Sequence, residues 1–235
     1  MIHLSQVEFQ YPDGDFRFRA GDFALRAQSQ AAMIGPSGSG KTTLLNLLAG
    51  ILSPTAGEIT VDGVNVAALG ESARRAFRAR RIGLIFQEFE LIEYLSVLDN
   101  ILLPFHVNSA LRLTDAARDR ARELAGKLGV SDKLRRFPSQ LSQGEKQRVA
   151  ICRALAASPK LILADEPTGN LDPSNRDRVT DLLLDSAREF AVTLLVVTHD
   201  HALLDRFEEV IDFDQQFPSR PSEHPPSAST NREAI

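Results

Sequence analysis

The sequence of 235 residues has little cysteine and no long apolar run. Its one cysteine, Cys152, excludes an internal disulfide and is typical of a reducing compartment. Cys152 falls in a predicted apolar helix, which indicates a small core residue rather than a nucleophile. The longest apolar run, residues 44–52, is far shorter than the ~20 residues that span a bilayer, and no secretory signal opens the sequence. We therefore expect a cytoplasmic protein that reaches a membrane only through a partner.

A strong charge bias and a metal-binding pattern are missing as well. The net charge of −4 at pH 7 gives no electrostatic reason to expect a nucleic-acid partner. Arginines cluster at residues 74–81, and such a run is more often one solvated helix face. The segment His199-Asp200-His201 has no third ligand, so it is weak support for a metal site. With 43% apolar and 25% charged residues, the composition is that of an ordinary soluble protein with one large α/β domain or two small ones.

The strongest motif is a glycine-rich segment at residues 35–43. It reads Gly-Pro-Ser-Gly-Ser-Gly-Lys-Thr-Thr and fits the pattern Gly-x4-Gly-Lys-[Ser/Thr] of a nucleotide-binding P-loop. The glycines let the backbone wrap around a polyphosphate, Lys41 reaches its β- and γ-phosphates, and Thr42 supplies a hydroxyl for Mg²⁺. Residues 30–34 predict a strand before the motif, and leucines at helical spacing follow it. A glycine-rich turn without a ligand is the competing interpretation.

Two carboxylates follow an apolar run further along the chain. Residues 161–164 are apolar, and Asp165 and Glu166 come directly after them. A buried parallel strand presents such residues at its carboxyl end, where α/β sheets bind ligands. Asp165 can hold Mg²⁺ and Glu166 can activate the attacking water, although two surface carboxylates would give the same pattern. A second apolar run, residues 192–197, would bring His199 to the same sheet edge, where histidine alone is more often an ordinary loop residue.

The remaining pattern predicts two additions to this α/β core. Residues 1–34 alternate between apolar and polar in short runs, which is typical of antiparallel strands, and residues 57–64 add a strand that ends in a turn. Residues 88–140 have a helical pattern and form a helical insertion. From residue 217 onward the chain is rich in proline, serine and charge, which predicts disorder.

A helix start is predicted at Ser142, because Ser142 and Glu145 have the spacing of a capping box. The simple interpretation ends with that cap. The sharper one is that Gly144, beside the exposed N–H groups of a helix start, contributes a second phosphate site.

Taken together, these residues resemble the ATP-binding cassette (ABC) family over most of residues 1–213. Six elements of the family occur in the right order, and the joint match is far more specific than any one of them. They are Tyr11 at the position that stacks on adenine, residues 35–43 as Walker A, Gln87 as the Q-loop glutamine, residues 141–145 as the signature, residues 161–166 as Walker B with its catalytic glutamate, and His199 as the switch histidine.

The resemblance implies a role for each matched residue. Catalysis would fall to Glu166, His199 and Lys41. The Mg²⁺ ligands would be Thr42, Gln87 and Asp165. ATP would be bound by Tyr11, Gly35, Pro36, Ser37, Gly38, Ser39, Gly40, Lys41, Thr42, Thr43 and Gln87, and by Ser142, Gln143, Gly144 and Glu145 of a facing subunit.

The resemblance also implies the ABC ATPase fold, an α/β P-loop NTPase (RecA-like) core with an antiparallel β subdomain and a helical subdomain. We expect one domain over residues 1–216, with residues 1–34 largely in the β subdomain and residues 88–156 in the helical one, followed by a disordered tail at residues 217–235. Two such chains would form a homodimer that sandwiches two ATP molecules between P-loops and signatures. The partner would be a separate membrane permease, with no role for nucleic acid.

Three segments, residues 82–87, 95–100 and 165–172, resemble the branch that serves lipoprotein release, macrolide-type efflux and cell division. Asn170 is part of that match. The branch implies an ATPase that drives export or extraction of a substrate. An alternative is a non-transporting ATPase that signals through a membrane partner to cell-wall or division enzymes, and it would use the same residues. Soluble cassettes of DNA repair or translation fit poorly, because they need a long coiled coil or two cassettes in one chain.

The signature departs from the family at two positions. Gln143 stands where the family usually has its first signature glycine, and Glu145 replaces the usual glutamine. A side chain at residue 143 enters a place suited to close approach of the backbone. We hypothesise that Gln143 weakens the ATP sandwich, whereas the capping box can use Glu145.

Overall fold

The computed structural model describes residues 1–12, 16–169 and 171–218; Asn170 and most of the predicted tail, residues 219–235, lie outside the described residues. The strands and helices in chain order are β1 (Ile2–Gln10), β2 (Arg17–Ala20), β3 (Phe23–Leu25), β4 (Gln30–Ile34), α1 (Lys41–Leu48), β5 (Ala56–Val61), β6 (Val64–Asn65), α2 (Glu71–Arg81), β7 (Ile82–Ile85), α3 (Val97–Val107), α4 (Asp115–Lys127), α5 (Gln143–Ala156), β8 (Leu161–Asp165), α6 (Pro173–Glu189), β9 (Thr193–Val197), β10 (Glu209–Asp212) and α7 (Phe213–Gln216). Short 3₁₀ turns cover Ser131–Lys133, Pro138–Gln140 and His201–Arg206.

A parallel sheet in the order β10-β4-β9-β8-β7 forms the α/β core, as predicted. The strands β4, β8 and β9 are almost wholly buried, which explains their continuous apolar runs. Met33 pairs with Val197, and Val197 pairs with Asp165. The carboxyl ends of these three strands therefore meet at one edge, where the chain continues into the P-loop, the carboxylates and His199.

A second, antiparallel sheet contains β2, β1, β5 and β6 in that order, with β3 also paired to β1. The predicted strand at residues 57–64 is a hairpin, because Asp62 and Gly63 both have positive φ, 50° and 74°. That geometry is typical of a two-residue hairpin turn. A bulge in β1 between Ser5 and Glu8 approaches Gly57 so closely that a Cβ there would lie 2.1 Å from the Gln6 carbonyl oxygen. Only glycine fits at that position.

The helices α3, α4 and α5 pack around a shared apolar cluster on the parallel sheet. Thr114 caps α4, since its hydroxyl accepts a hydrogen bond from the Ala117 N–H at 3.2 Å. One face of α4 is buried, including Ala121 and Leu124. Cys152 is also fully buried, and burial raises the pKa of its thiol, so its prediction as a core residue is confirmed.

The arginine run at residues 74–81 lies on α2 and is only partly a solvated face. Arg75, Arg80 and Arg81 are exposed. Arg78 is half-buried and donates to the carbonyl oxygens of Ala49 and Gly50 at 3.3 and 3.1 Å, at the end of α1. Burial lowers the pKa of Arg78. This side chain therefore satisfies backbone acceptors that the helix itself leaves unpaired.

No helix in the described part of the chain is long and apolar enough to cross a membrane. The first residue that we assigned to the tail, Phe217, is 2% exposed and packs against other aromatic rings. The described chain is thus anchored in the core at that residue.

Candidate active site

The loop between β4 and α1 has the backbone geometry of a phosphate cradle. Gly38 and Gly40 have φ values of 78° and 111°, in the left-handed region that strains other residues. Gly40 is the N-cap of α1 and has no side chain to bond the first N–H groups of the helix. Those N–H groups and the helix dipole are suited to binding an anion.

Lys41 is 7% exposed and bends back over the loop. Its Nζ donates to the Gly35 carbonyl oxygen at 2.9 Å, to the Pro36 carbonyl oxygen, and to Ser39 Oγ at 3.4 Å. The ammonium group is thereby held at the loop by neutral oxygens, and an anionic phosphate can replace them with an ion pair.

Thr42 and Asp165 join the P-loop helix to the end of β8. Thr42 Oγ1 donates a hydrogen bond of 2.7 Å to Asp165 Oδ2. Burial raises the pKa of Asp165 above its ordinary value and the charge of Glu166 adds to the rise, while the Thr42 hydrogen bond and Lys41 oppose it. The pair could thus offer a metal ion two hard oxygen ligands. The Asp165 carboxylate is partly buried, and no cationic side chain of the described residues forms a salt bridge with it.

Glu166 and His199 form a second pair at the same edge. His199 Nδ1 lies 2.8 Å from Glu166 Oε2, and their side chains are 65% and 24% exposed. Glu166 has a φ of 45°, and its N–H donates to the Val197 carbonyl oxygen at 2.9 Å. A non-glycine residue in this conformation costs energy, and its side chain is turned out of the direction that the strand would give it.

Gln87 follows β7 and is exposed. A Cβ at Gly169 would lie 3.4 Å from Glu166 Oε2 and 3.5 Å from Gln87 Nε2. The amide of Gln87 and the carboxylate of Glu166 therefore both lie beside Gly169, although Gln87 is not among the residues that line the cleft at Asp165.

A cleft of about 300 Å³ connects the P-loop, Asp165 and Glu166 to two aromatic side chains. It is lined by Tyr11, Phe16, Ser37, Gly38, Gly40, Lys41, Thr42, Thr43, Asp165, Glu166 and Val197. Tyr11 is held in place by a hydrogen bond of 3.2 Å between its hydroxyl and Thr43 Oγ1 and by an edge contact with Phe9. Our sequence analysis treated Phe16 only as a strand residue. The signal that could have identified Phe16 is a second aromatic residue close in sequence to Tyr11.

Gly35 and Pro36 line a neighbouring cleft together with His199 and His201. Within residues 1–12, 16–169 and 171–218, no group of three or more histidine, cysteine, aspartate or glutamate side chains could hold a metal ion. Asp200 instead pairs with Arg176 and caps the following 3₁₀ turn.

The signature residues do not reach this cleft, since residues 142–145 are absent from its described lining. Ser142 and Glu145 form the predicted capping box of α5: the Ser142 N–H donates to Glu145 Oε2 at 2.8 Å, and the Glu145 N–H donates to Ser142 Oγ at 3.3 Å. The bond from the Ser142 N–H lowers the pKa of Glu145. Gln143 is exposed and Gly144 is buried near Asn175.

Comparison with known proteins gives the same picture as the geometry. The sequence profile of the family described as ABC transporter matches residues 18–169. An uncharacterized ABC transporter ATP-binding protein of Mycobacterium tuberculosis is 42% identical over 215 residues, which cover 90% of this chain and 86% of that protein. The lipoprotein-releasing system ATP-binding protein LolD of Chromohalobacter salexigens is 42% identical over 212 residues, with 90% and 89% covered.

Solved structures are similar over nearly the whole chain. The ATP-binding cassette MJ0796, in a dimeric post-hydrolysis state bound to ADP and Pi, has a TM-score of 0.79 and 32% identity, with 93% of this chain and 97% of that chain covered. The dimeric structure of MJ0796 described as a bacterial ABC transporter cassette has the same TM-score and 33% identity. The sequence and the fold agree with these relatives: the chain belongs to the ABC transporter family and is an ATP-binding, ATP-hydrolysing subunit of it.

Proposed function

We propose that this subunit drives export or extraction of a substrate through a separate membrane permease, on the inner face of the cell membrane, by closing as a homodimer on two ATP molecules. The names of its relatives support the transport role, since LolD is described as part of a lipoprotein-releasing system. The segments at residues 82–87 and 95–100 resemble the same branch.

The observation that carries the proposal is the arrangement of two side-chain pairs at one sheet edge. Thr42 Oγ1, in the first turn of α1, lies 2.7 Å from Asp165 Oδ2 at the end of β8. His199 Nδ1, just after β9, lies 2.8 Å from Glu166 Oε2, and β8 and β9 are neighbours in the sheet. Phosphoryl transfer to water needs a phosphate cradle, a cation site and a base that positions water. The P-loop backbone, the Thr42–Asp165 pair and the Glu166–His199 pair are suited to these three tasks, which supports the proposal.

The residues fit Mg²⁺, because Thr42 Oγ1 and Asp165 Oδ2 are hard oxygen donors that already converge. Gln87 would add an amide oxygen. When bound, Mg²⁺ neutralises negative charge on the β- and γ-phosphates. The P-loop N–H groups and Lys41 would hold the phosphate oxygens, and the Tyr11 ring would stack on the adenine.

Glu166 would polarise the attacking water, and His199 would orient its carboxylate and contact the γ-phosphate. The left-handed backbone of Glu166 supports this role, since such strain persists where a side chain must be aimed. The exposure of His199 leaves the rest of its ring accessible to substrate.

A second subunit would complete the site. Ser142 and Gly144 lie at the start of α5 and away from the cleft of their own chain. The Ser142 N–H is engaged by Glu145 Oε2, so the γ-phosphate of a facing chain would bind the Gly144 N–H and would reach the Ser142 N–H only by displacing that carboxylate. The dimeric cassette structures of MJ0796 support this arrangement.

The dimer is tested with Glu166→Gln, which keeps the shape of the side chain and removes its charge. Light scattering with ATP and Mg²⁺ should show dimers, because hydrolysis no longer separates the subunits. Without ATP it should show monomers. The control is Glu71→Gln, an exposed change on α2 away from the site, which should hydrolyse ATP like the wild type. Binding of ATP by a protein that stays monomeric would contradict the sandwich.

The permease is tested by purifying tagged Glu166→Gln with ATP from detergent-solubilised membranes of the producing cell. An integral membrane protein should be recovered in a stoichiometric amount, and less of it should be recovered without ATP. Recovery of the chain alone under both conditions would contradict a membrane partner.

A further inference from the structure

The P-loop lies against a phenylalanine that the chain supplies almost two hundred residues later. The strand β10 pairs in parallel with β4, with Asp212 opposite Ile34, so Phe213 emerges beside Gly35. A Cβ at Gly35 would lie 2.9 Å from Phe213 Cβ, and a Cβ at Gly40 would lie 3.6 Å from Phe213 Cζ. The two glycines that bound the loop therefore lie beside opposite ends of this one side chain, and Gly40 also lies beside Phe16 and Phe18, whose ring atoms would be 2.8 and 3.5 Å from a Cβ at Gly40.

Phe213 is itself held firmly. It is 1% exposed and is the first residue of α7, which Asp212 caps by accepting hydrogen bonds from the next N–H groups. The Phe217 N–H donates to the Phe213 carbonyl oxygen at 2.7 Å. The Phe213 ring centroid lies 5.1 Å from that of Phe217 and 6.0 Å from that of Phe18. The ring cannot move without opening this aromatic cluster.

We propose that Phe213 is a positioning residue of the nucleotide site, which it serves by forming a fixed wall behind the P-loop. This inference rests on the proposed role of the loop as the phosphate cradle. The loop is rich in glycine and so has many accessible conformations, and a binding loop gains affinity when it is held in its bound shape beforehand. A wall that contacts both ends of the loop restricts those conformations without touching the ligand.

The effect should fall on binding rather than on chemistry. Phe213 contacts the loop, whereas Glu166 and His199 are placed by β8 and β9. Loss of the wall should therefore raise the dissociation constant of the nucleotide and KM, and leave kcat nearly unchanged.

Phe217 provides a matched control. It is 2% exposed, belongs to the same cluster, and lies 5.9 Å from Phe18 and 5.6 Å from Phe23 between ring centroids. It is not among the atoms nearest to Gly35, Gly38 or Gly40. Phe213→Ala and Phe217→Ala each leave a cavity in the same cluster, so both should lower the melting temperature, but only Phe213→Ala removes the wall.

The experiment measures ADP binding by calorimetry and the ATPase constants of the wild type, Phe213→Ala, Phe213→Leu and Phe217→Ala, below the lowest melting temperature. Phe213→Ala should weaken ADP binding and raise KM by about tenfold, with kcat within about twofold. Phe217→Ala should keep the dissociation constant of ADP and the KM for ATP within about twofold of the wild type. Phe213→Leu should be intermediate, since leucine fills part of the space.

An unchanged ADP affinity in Phe213→Ala, or an equal loss in both alanine variants, would overturn the inference. If Phe213→Ala does not fold, Phe213→Leu compared with Phe217→Leu makes the same test. A wild type that fails to bind ADP would overturn the proposed function and this inference with it, whereas normal wild-type binding with no difference between the variants would overturn this inference alone.

Discussion

His199 Nδ1 lies 2.8 Å from Glu166 Oε2, which joins the residue after β8 to the loop that follows β9. The two strands are paired, with Asp165 opposite Val197, so the contact is set by the register of the sheet. Because His199 holds the Glu166 carboxylate at Oε2, the orientation of Oε1 is fixed as well, and Oε1 can accept a hydrogen bond from a second partner. This arrangement makes His199 and Glu166 a unit rather than two independent groups.

Residues that act as a unit give non-additive losses when they are replaced together. Glu166→Gln and His199→Ala should each lower kcat by at least about 100-fold, and the double variant should lose little more than Glu166→Gln alone. Steady-state ATPase rates of the wild type, the two single variants and the double variant give this double-mutant cycle. His201→Ala, an exposed histidine two residues away, should behave like the wild type. Multiplicative losses in the double variant would show that the two residues act separately.

Asp165 should destabilise the nucleotide-free protein at neutral pH, since burial raises the pKa of its carboxyl. A raised pKa in the folded state means that folding opposes the charged form. Asp165→Asn should therefore unfold at higher urea than the wild type at pH 7. This difference should be complete above the folded-state pKa of Asp165 and should vanish as the pH falls below the ordinary aspartate value. Urea unfolding between pH 3 and pH 7, without metal or nucleotide, tests both the sign and the pH range.

The same variant should lose its response to Mg²⁺. ATPase activity titrated with Mg²⁺ should require at least about tenfold more metal in Asp165→Asn and in Thr42→Val, because each removes one hard oxygen ligand. A variant that gains stability without metal and loses metal affinity separates the two roles of the carboxylate. Unchanged Mg²⁺ titrations in both variants would contradict their assignment as ligands.

Gln143 is exposed at the first residue of α5, where the family usually has glycine. Gln143→Gly should raise the ATPase rate and strengthen ATP-dependent dimers of Glu166→Gln, because the backbone of the signature can then approach a facing nucleotide more closely. Gln143→Ala separates size from backbone freedom: an intermediate rate would indicate the bulk of the side chain. An unchanged rate in Gln143→Gly would count against our hypothesis.

The elements at the sheet edge were predictable from the sequence because each is a local pattern. A continuous apolar run ending in Asp165 and Glu166 predicts a buried strand with two carboxylates at its carboxyl end. A glycine-rich segment before Lys41 predicts the phosphate-binding loop. The capping box of Ser142 and Glu145 likewise depends only on residues three apart.

The residues that sequence analysis missed act over long sequence distances. Phe213 lies against the P-loop only because β10 pairs with β4, and no local pattern reveals that pairing. Phe16 faces the cleft because Gly40 leaves room for its ring, as a Cβ there would lie 2.8 Å from Phe16 Cζ. Arg78 was assigned to a solvated face, yet its partners are the carbonyl groups at the end of a different helix.

Arg153 is a further residue of this kind. It lies on α5, is 8% exposed, and donates to the carbonyl oxygens of Phe89 and Glu90, just after Gln87. Both acceptor residues have left-handed backbones, with φ values of 63° and 47°. Burial lowers the pKa of Arg153. A buried cation thus connects the signature helix to the strained segment that follows Gln87.

Arg153→Met should lower the free energy of unfolding by about 2–4 kcal/mol, because the buried Phe89 carbonyl group and the partly buried Glu90 carbonyl group both lose a charged donor. The control is Arg120→Met, which removes one longer bond, 3.3 Å, to the Leu155 carbonyl oxygen and a contact with the Phe190 ring, and should cost about 1 kcal/mol. Urea unfolding gives both values. Because Gln87 precedes the held segment, Arg153→Met should also lower kcat, whereas Arg120→Met should not. Equal stability losses with unchanged kcat in both variants would contradict this prediction. They would show that Arg153 contributes only to packing and that β7 alone positions Gln87.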